Sequence, residues 1–138
     1  DVLDYLLGPI EAVDGQSGNQ SGLYDCEDAV TAAWRHAGGA LGSGLWVFTA
    51  YEGSSTEEIE IVGSEGRISC SAFELDRPLR LERSGGHVEE TTIEPPAHVQ
   101  QPLIQSVVDA LRGRGTCPST GVSALRTAQV MDRILGVM

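Results

Sequence analysis

The chain has 138 residues, 41% of them apolar, and its 20 acidic against 9 basic residues give a net charge of −11. That length suits one domain, residues 1–138, able to bury roughly two-thirds of its unfolded surface without staples. The charge repels phosphate backbones and anionic lipid, so neither nucleic acid nor a membrane surface is an expected partner.

The first element is DVLDYLLGP, an amphipathic helical turn closed by Gly8 and Pro9, with no initiator Met and no cap residue ahead of its first apolar side chain. The expectation is a piece of a longer protein. In YDCEDAV, the acidic Asp25, Glu27 and Asp28 lack the glycine-punctuated spacing of a calcium loop and read as a solvated strand entry.

EDAVTAAWRHAGGALGSGLWVFTAY then reads as two strands joined around Gly38 and Gly39. The second strand carries Leu45 and Val47 on one face and Trp46 and Phe48 on the other. Both faces are apolar, so both should be covered. The dense Gly38, Gly39, Gly42 and Gly44 fail as a dinucleotide fingerprint because they lead into a strand rather than opening a helix. They read instead as a hairpin turn and close packing.

EEIEIVGSEGRISCSAF alternates apolar and polar residues on either side of Gly63 to Gly66, a hairpin with one buried face. RPLRLERS and HVEETTIE look like two more exposed strands, the second halted by Pro95 and Pro96. Beyond them, Val99, Leu103, Ile104, Val107, Val108 and Leu111 make one helical stripe, with Pro102 tolerable only in the first turn and Gly113 and Gly115 as the exit. A last helix starts at a Ser119 or Thr120 cap and carries Leu125, Ala128, Met131, Ile134, Leu135 and Met138.

Strands first and helices later predict an α+β fold: an open, mainly antiparallel sheet of about six strands with three helices on one face. The other face, with Trp46 and Phe48 as interface candidates, is left for a homo-oligomer contact, dimer or tetramer.

Chemistry is sparse. His36, His87 and His98 sit in no nucleophile, metal or phosphate motif, and each reads first as a solvated strand-end or loop residue. His98, after two prolines at a helix start, is a substrate-binding candidate. Trp46 is another, as a stacking platform. Cys26, Cys70 and Cys117 are odd in number and widely spaced, which fits reduced thiols in the cytoplasm, and no metal site is expected.

The run HVQQPLIQSVVDALRGRGTCPSTGVSALRTAQVMDRIL, with DAVTAAWRHAGGALG and EIEIVGSEGRISCSAF before it, resembles the C-terminal domain of the Gfo/Idh/MocA oxidoreductases. The resemblance implies a two-domain parent: an N-terminal Rossmann domain binding NAD or NADP, absent from this chain, then a domain for substrate contacts and oligomerisation. It further implies hydride transfer to or from a sugar, polyol or related small carbonyl or carbinol compound. The family's Glu-Lys-Pro lysine belongs to the nucleotide domain, and its D-x-x-x-H histidine falls just upstream of Asp1. No residue of this chain inherits a catalytic or cofactor-binding role, and the fragment alone is expected to be inactive. His36 stands where relatives commonly carry an aromatic residue, which makes it a third substrate-specificity candidate. The alternative from a different class is a stand-alone dimeric α+β binding or scaffold module with no activity.

Overall fold

The structure, a computed structural model, describes residues 1–137. It divides into two compact units, residues 1–51 together with the stretch from Asp109, and residues 52–108. The fold is α+β with open antiparallel sheets, as expected. Where one sheet of about six strands was expected, the described residues form seven strands in two hydrogen-bonded sheets of three and four.

The first unit begins with helix α1 (Val2–Leu7), closed by Gly8 at φ 84, a left-handed backbone that glycine adopts without strain. Strand β1 (Ile10–Gly18) follows and pairs with β2 (Ala29–His36), which pairs in turn with β3 (Leu41–Val47). β1 is the strand that the residue pattern concealed. Glu11, Asp14, Gly15, Gln16, Ser17 and Gly18 have little strand preference, and a bulge between Ile10 and Ala12 breaks the alternation. It forms because β2 offers a paired edge and helix α3 (Gly121–Ile134) packs on its inner side. A Cβ at Gly15 would lie 2.7 Å from Ile134 Cγ2 and 3.0 Å from its Cα, so the glycine sets how closely helix and strand approach.

α3 is capped by Thr120, whose side chain accepts from Ser123 N while Ser123 Oγ accepts from Thr120 N. Of the stripe expected from the sequence, Met131, Ile134 and Leu135 face the sheet together with Thr127 and Val130, whereas Leu125 is exposed and does not join them. Met138, placed on that stripe from the sequence, lies outside the described residues.

Asp28 corrects the reading of a solvated acidic entry. It is 0% exposed and accepts from Gln20 N at 2.7 Å, Ser21 N at 2.8 Å and Thr49 Oγ1 at 3.0 Å. Asp25 and Glu27 are exposed, as the sequence suggested.

In the second unit, β4 (Ile59–Gly63), β5 (Gly66–Cys70), β6 (Leu79–Arg83) and β7 (Val88–Thr91) form a meander. One face aligns Ile61, Ile68 and Leu81. The other carries a ladder of ion pairs in which Arg67 bridges Glu60 and Glu82 and Arg80 bridges Glu82 and Glu90. A Cβ at Gly66 would overlap the Glu82 carbonyl oxygen on the neighbouring strand. Gly66→Ala is therefore expected to push β5 off β6, costing about 2 kcal/mol or more. Urea unfolding checks this, and an unchanged midpoint would contradict the close approach.

Helix α2 (Gln101–Leu111) follows, with Pro102 in its first turn as expected and Gly113 at φ 68 beyond its end. Its Leu103, Ile104 and Val107 remain exposed. Among the described residues, no disulfide joins Cys26, Cys70 and Cys117. None of the described helices is long and apolar enough to cross a membrane.

Candidate functional site

The β2–β3 hairpin turns through Ala37 to Ala40, with Gly39 at φ 88, and this sets Trp34 opposite Gly42, Ala32 opposite Gly44 and Val30 opposite Trp46. Side chains alternate across a sheet, so all six lie on the inner face. A Cβ on Gly42 would overlap the Trp34 ring, and one on Gly44 would overlap the Trp46 ring. The two glycines thus leave room for the indoles to lie against the sheet. The rings stack with centroids 6.5 Å apart and planes 29° from parallel.

His36, at the end of the same row, fixes this floor. Trp34 Nε1 donates to His36 Nε2 at 3.1 Å, and His36 Nδ1 lies 2.7 Å from the Gly8 carbonyl oxygen. An indole N–H only donates, so Nε2 is the acceptor and Nδ1 carries the proton, which it donates to Gly8. His36 is 1% exposed. It is thus a buried strut between α1 and Trp34, not a solvated strand end, and neither ring nitrogen is left for a ligand.

Above the indoles, Leu3, Ile10, Val130, Met131, Ile134 and Leu135 line a half-open cavity of about 390 Å³. That volume is in the range of small-molecule sites. Its charged and hydroxyl side chains, Asp1, Asp4 and Thr127, all come from α1 and α3. Arg126 holds Asp4 through two bonds, Nε to Oδ1 at 3.2 Å and Nη2 to Oδ2 at 2.6 Å. This fork keeps the Asp4 carboxyl below the usual carboxylate range and pushes the Arg126 guanidinium up. Thr127 Oγ1 donates to Asp1 Oδ1 at 3.3 Å.

Trp46 and Phe48 line this cavity from β3 and its exit, Trp46 being 42% exposed. Both lie on the side of the sheet that α1 and α3 cover, the reverse of the strand phase expected for an interface. Leu41, Leu45 and Val47 occupy the opposite side and are exposed, Leu41 to 81% and Leu45 to 72%. His98 stands in the second unit, exposed, its carbonyl accepting from Gln101 N at 3.0 Å at the start of α2. The structure thus brings His36 and Trp46 into one sheet face and assigns His98 to the other unit. Trp34, Asp1 and Met131 belong to the cavity although the residue pattern did not single them out for it.

A dinucleotide does not fit the glycine-rich hairpin. The space a pyrophosphate would need beside Gly42 and Gly44 is filled by indole rings, and the run leads into β3 instead of opening a helix. Among the described residues, no group of three or more His, Cys, Asp or Glu side chains is placed to hold a metal ion.

A profile of the GFO/IDH/MocA C-terminal domain matches residues 1–69, half of the chain. No curated protein matches the sequence. Among solved structures, an oxidoreductase from Agrobacterium radiobacter in complex with NAD+, L-tartaric acid and magnesium is 17% identical, with a TM-score of 0.78 over 96% of this chain and 43% of its own. The WlbA dehydrogenase from Bordetella pertussis, in complex with NADH and UDP-GlcNAcA, is 23% identical, with a TM-score of 0.72 over 96% of this chain and 37% of its own. UDP-N-acetylglucosamine 3-dehydrogenase GnnA from Acidithiobacillus ferrooxidans is 15% identical, with a TM-score of 0.75 over 99% of this chain and 44% of its own. The chain therefore spans about two fifths of the length of these enzymes. With half of its residues matched by the profile and its fold shared across nearly all of them, the chain belongs to the GFO/IDH/MocA C-terminal domain family.

Proposed function

We propose that residues 1–138 are the substrate-binding and oligomerisation domain of a cytoplasmic NAD(P)-dependent oxidoreductase acting on a sugar, polyol or related carbonyl or carbinol compound. A Rossmann domain elsewhere in a longer polypeptide would hold the nicotinamide cofactor and supply the hydride chemistry. The observation that carries this reading is the cavity over Trp34 and Trp46, a ligand-sized space on a floor that two glycines make room for. Family membership and the nicotinamide cofactors of the Agrobacterium and Bordetella neighbours support it.

In this reading Trp46 and Phe48 form the substrate wall and His36 acts as a positioning residue through Trp34, while His98 remains a substrate-contact candidate on the second unit taken by itself. The chain's own work is to bind, orient and exclude water. The oligomer contact moves to Leu41, Leu45 and Val47.

The chain alone is expected to show no saturable NADH binding by calorimetry, whereas the polypeptide that includes its natural upstream sequence binds NADH. A micromolar dissociation constant measured on residues 1–138 would overturn the division of labour. In that longer enzyme, Trp46→Ala is expected to raise KM about tenfold, with a smaller effect on kcat.

A further inference from the structure

The polar groups of the cavity are few and confined. Trp34 Nε1, the polar atom of that ring, is bonded to His36, so Trp34 offers a ligand only its π face. Met131, Ile134, Leu135 and Val130 add apolar walls. At the polar end, both Asp4 oxygens are taken by Arg126, and one Asp1 oxygen receives Thr127. What remains for a ligand is little: acceptor lone pairs on the Asp1 carboxylate and on the Thr127 hydroxyl, and the indole N–H of Trp46. A bare hexose brings five hydroxyls, and those turned against the apolar floor and walls lose water without gaining partners. A flat apolar group loses nothing on entry and stacks on the indoles.

We propose that this cavity selects a ligand with a planar apolar portion, such as an aryl group, joined to one hydrogen-bond-donating end, and that it discriminates against bare polyols. This rests on the reading of the cavity as the substrate wall. It narrows the substrate class to sugar derivatives or alcohols that carry an aromatic or compact apolar substituent, seated over Trp34 and Trp46 with the donor at Asp1.

The test is calorimetric titration of the chain with phenyl β-D-glucopyranoside and with methyl β-D-glucopyranoside, backed by tryptophan emission. Both tryptophans of the chain face the cavity, so emission reports on it directly. The phenyl glycoside is expected to bind at least tenfold more tightly than the methyl glycoside. Trp46→Ala should reduce that ratio below threefold, while Trp46→Phe, which keeps an aromatic ring on the floor, should retain most of it. Far-UV circular dichroism establishes that each variant is folded. Equal affinity for the two glycosides, or tighter binding of the methyl one, overturns the selectivity and leaves the substrate wall standing. Absence of binding by either overturns both.

Discussion

Replacing Asp28 with Ala is expected to lower the melting temperature by at least about 10 °C, because a fully buried carboxylate is lost and with it the acceptor of two backbone N–H groups and of Thr49 Oγ1. The carboxylate ties Gln20 and Ser21, in the loop after β1, to Thr49 beyond the end of β3. Its own backbone continues the sheet, Asp28 N donating to Gly18 O and Asp28 O accepting from Phe48 N. Hydrogen bonds from Gln20, Ser21 and Thr49 hold the carboxyl well below the ordinary value of 3.8. A folded-state value depressed in this way makes the contribution complete above about pH 4. It is lost as acidification carries the pH down through the folded value, since the unfolded chain takes up the proton first. Asp4, Glu57 and Glu82 are shifted in the same direction, Asp4 and Glu82 chiefly by arginine and Glu57 chiefly by Ser71. Stability should therefore fall progressively as the pH drops from about 4 towards 2. Asp28→Asn should start lower at pH 7 and fall less steeply across that window. Parallel slopes for wild type and Asp28→Asn, measured by urea unfolding at each pH, would remove Asp28 from the acid response.

Asp28 also marks what was not legible in the chain. YDCEDAV shows three acids in a row of polar residues, and nothing local distinguishes the one that a distant Thr49 and two backbone amides will enclose. β1 was hidden for a related reason: its residues prefer turns, and it is a strand only because β2 and α3 accept it there. The hairpins were legible because alternation and turn glycines are local signals, and so were the Thr120 cap and Pro102 in the first turn of α2. The cavity stood between these cases. Once the turn is centred on Gly38, Trp34 must face Gly42 and Trp46 must pair with Val30, so the aromatic floor follows from register alone. The phase of β3 went the other way because Leu45 and Val47 are as apolar as Trp46 and Phe48. Composition cannot say which pair meets a helix, and it was settled by α1 and α3 lying over the tryptophan side.

The second large effect is expected at His36, where register, burial and tautomer meet. Truncation to Ala removes a buried ring and strands both the Trp34 N–H and the Gly8 carbonyl, a cost of about 3 to 4 kcal/mol. Phe fills much of the same space but restores neither hydrogen bond. His36→Phe should therefore cost less, about 2 kcal/mol, while leaving the Trp34 ring free to rotate. That rotation has a readout of its own: the near-ultraviolet circular dichroism of the stacked Trp34–Trp46 pair should weaken in His36→Phe even where the far-ultraviolet spectrum is unchanged. Nitrogen-15 spectra of the wild type should show a protonated Nδ1 and an unprotonated, accepting Nε2, the tautomer that an indole donor requires. Retention of both stability and the near-ultraviolet signal in His36→Phe would mean that the glycines alone hold the indoles flat. Loss of the signal with modest loss of stability would instead place the control of the cavity floor in a histidine that never touches the ligand. A substitution there would change ligand affinity through Trp34 and at the same time loosen the end of α1 at Gly8, the two consequences of one side chain bonded in both directions.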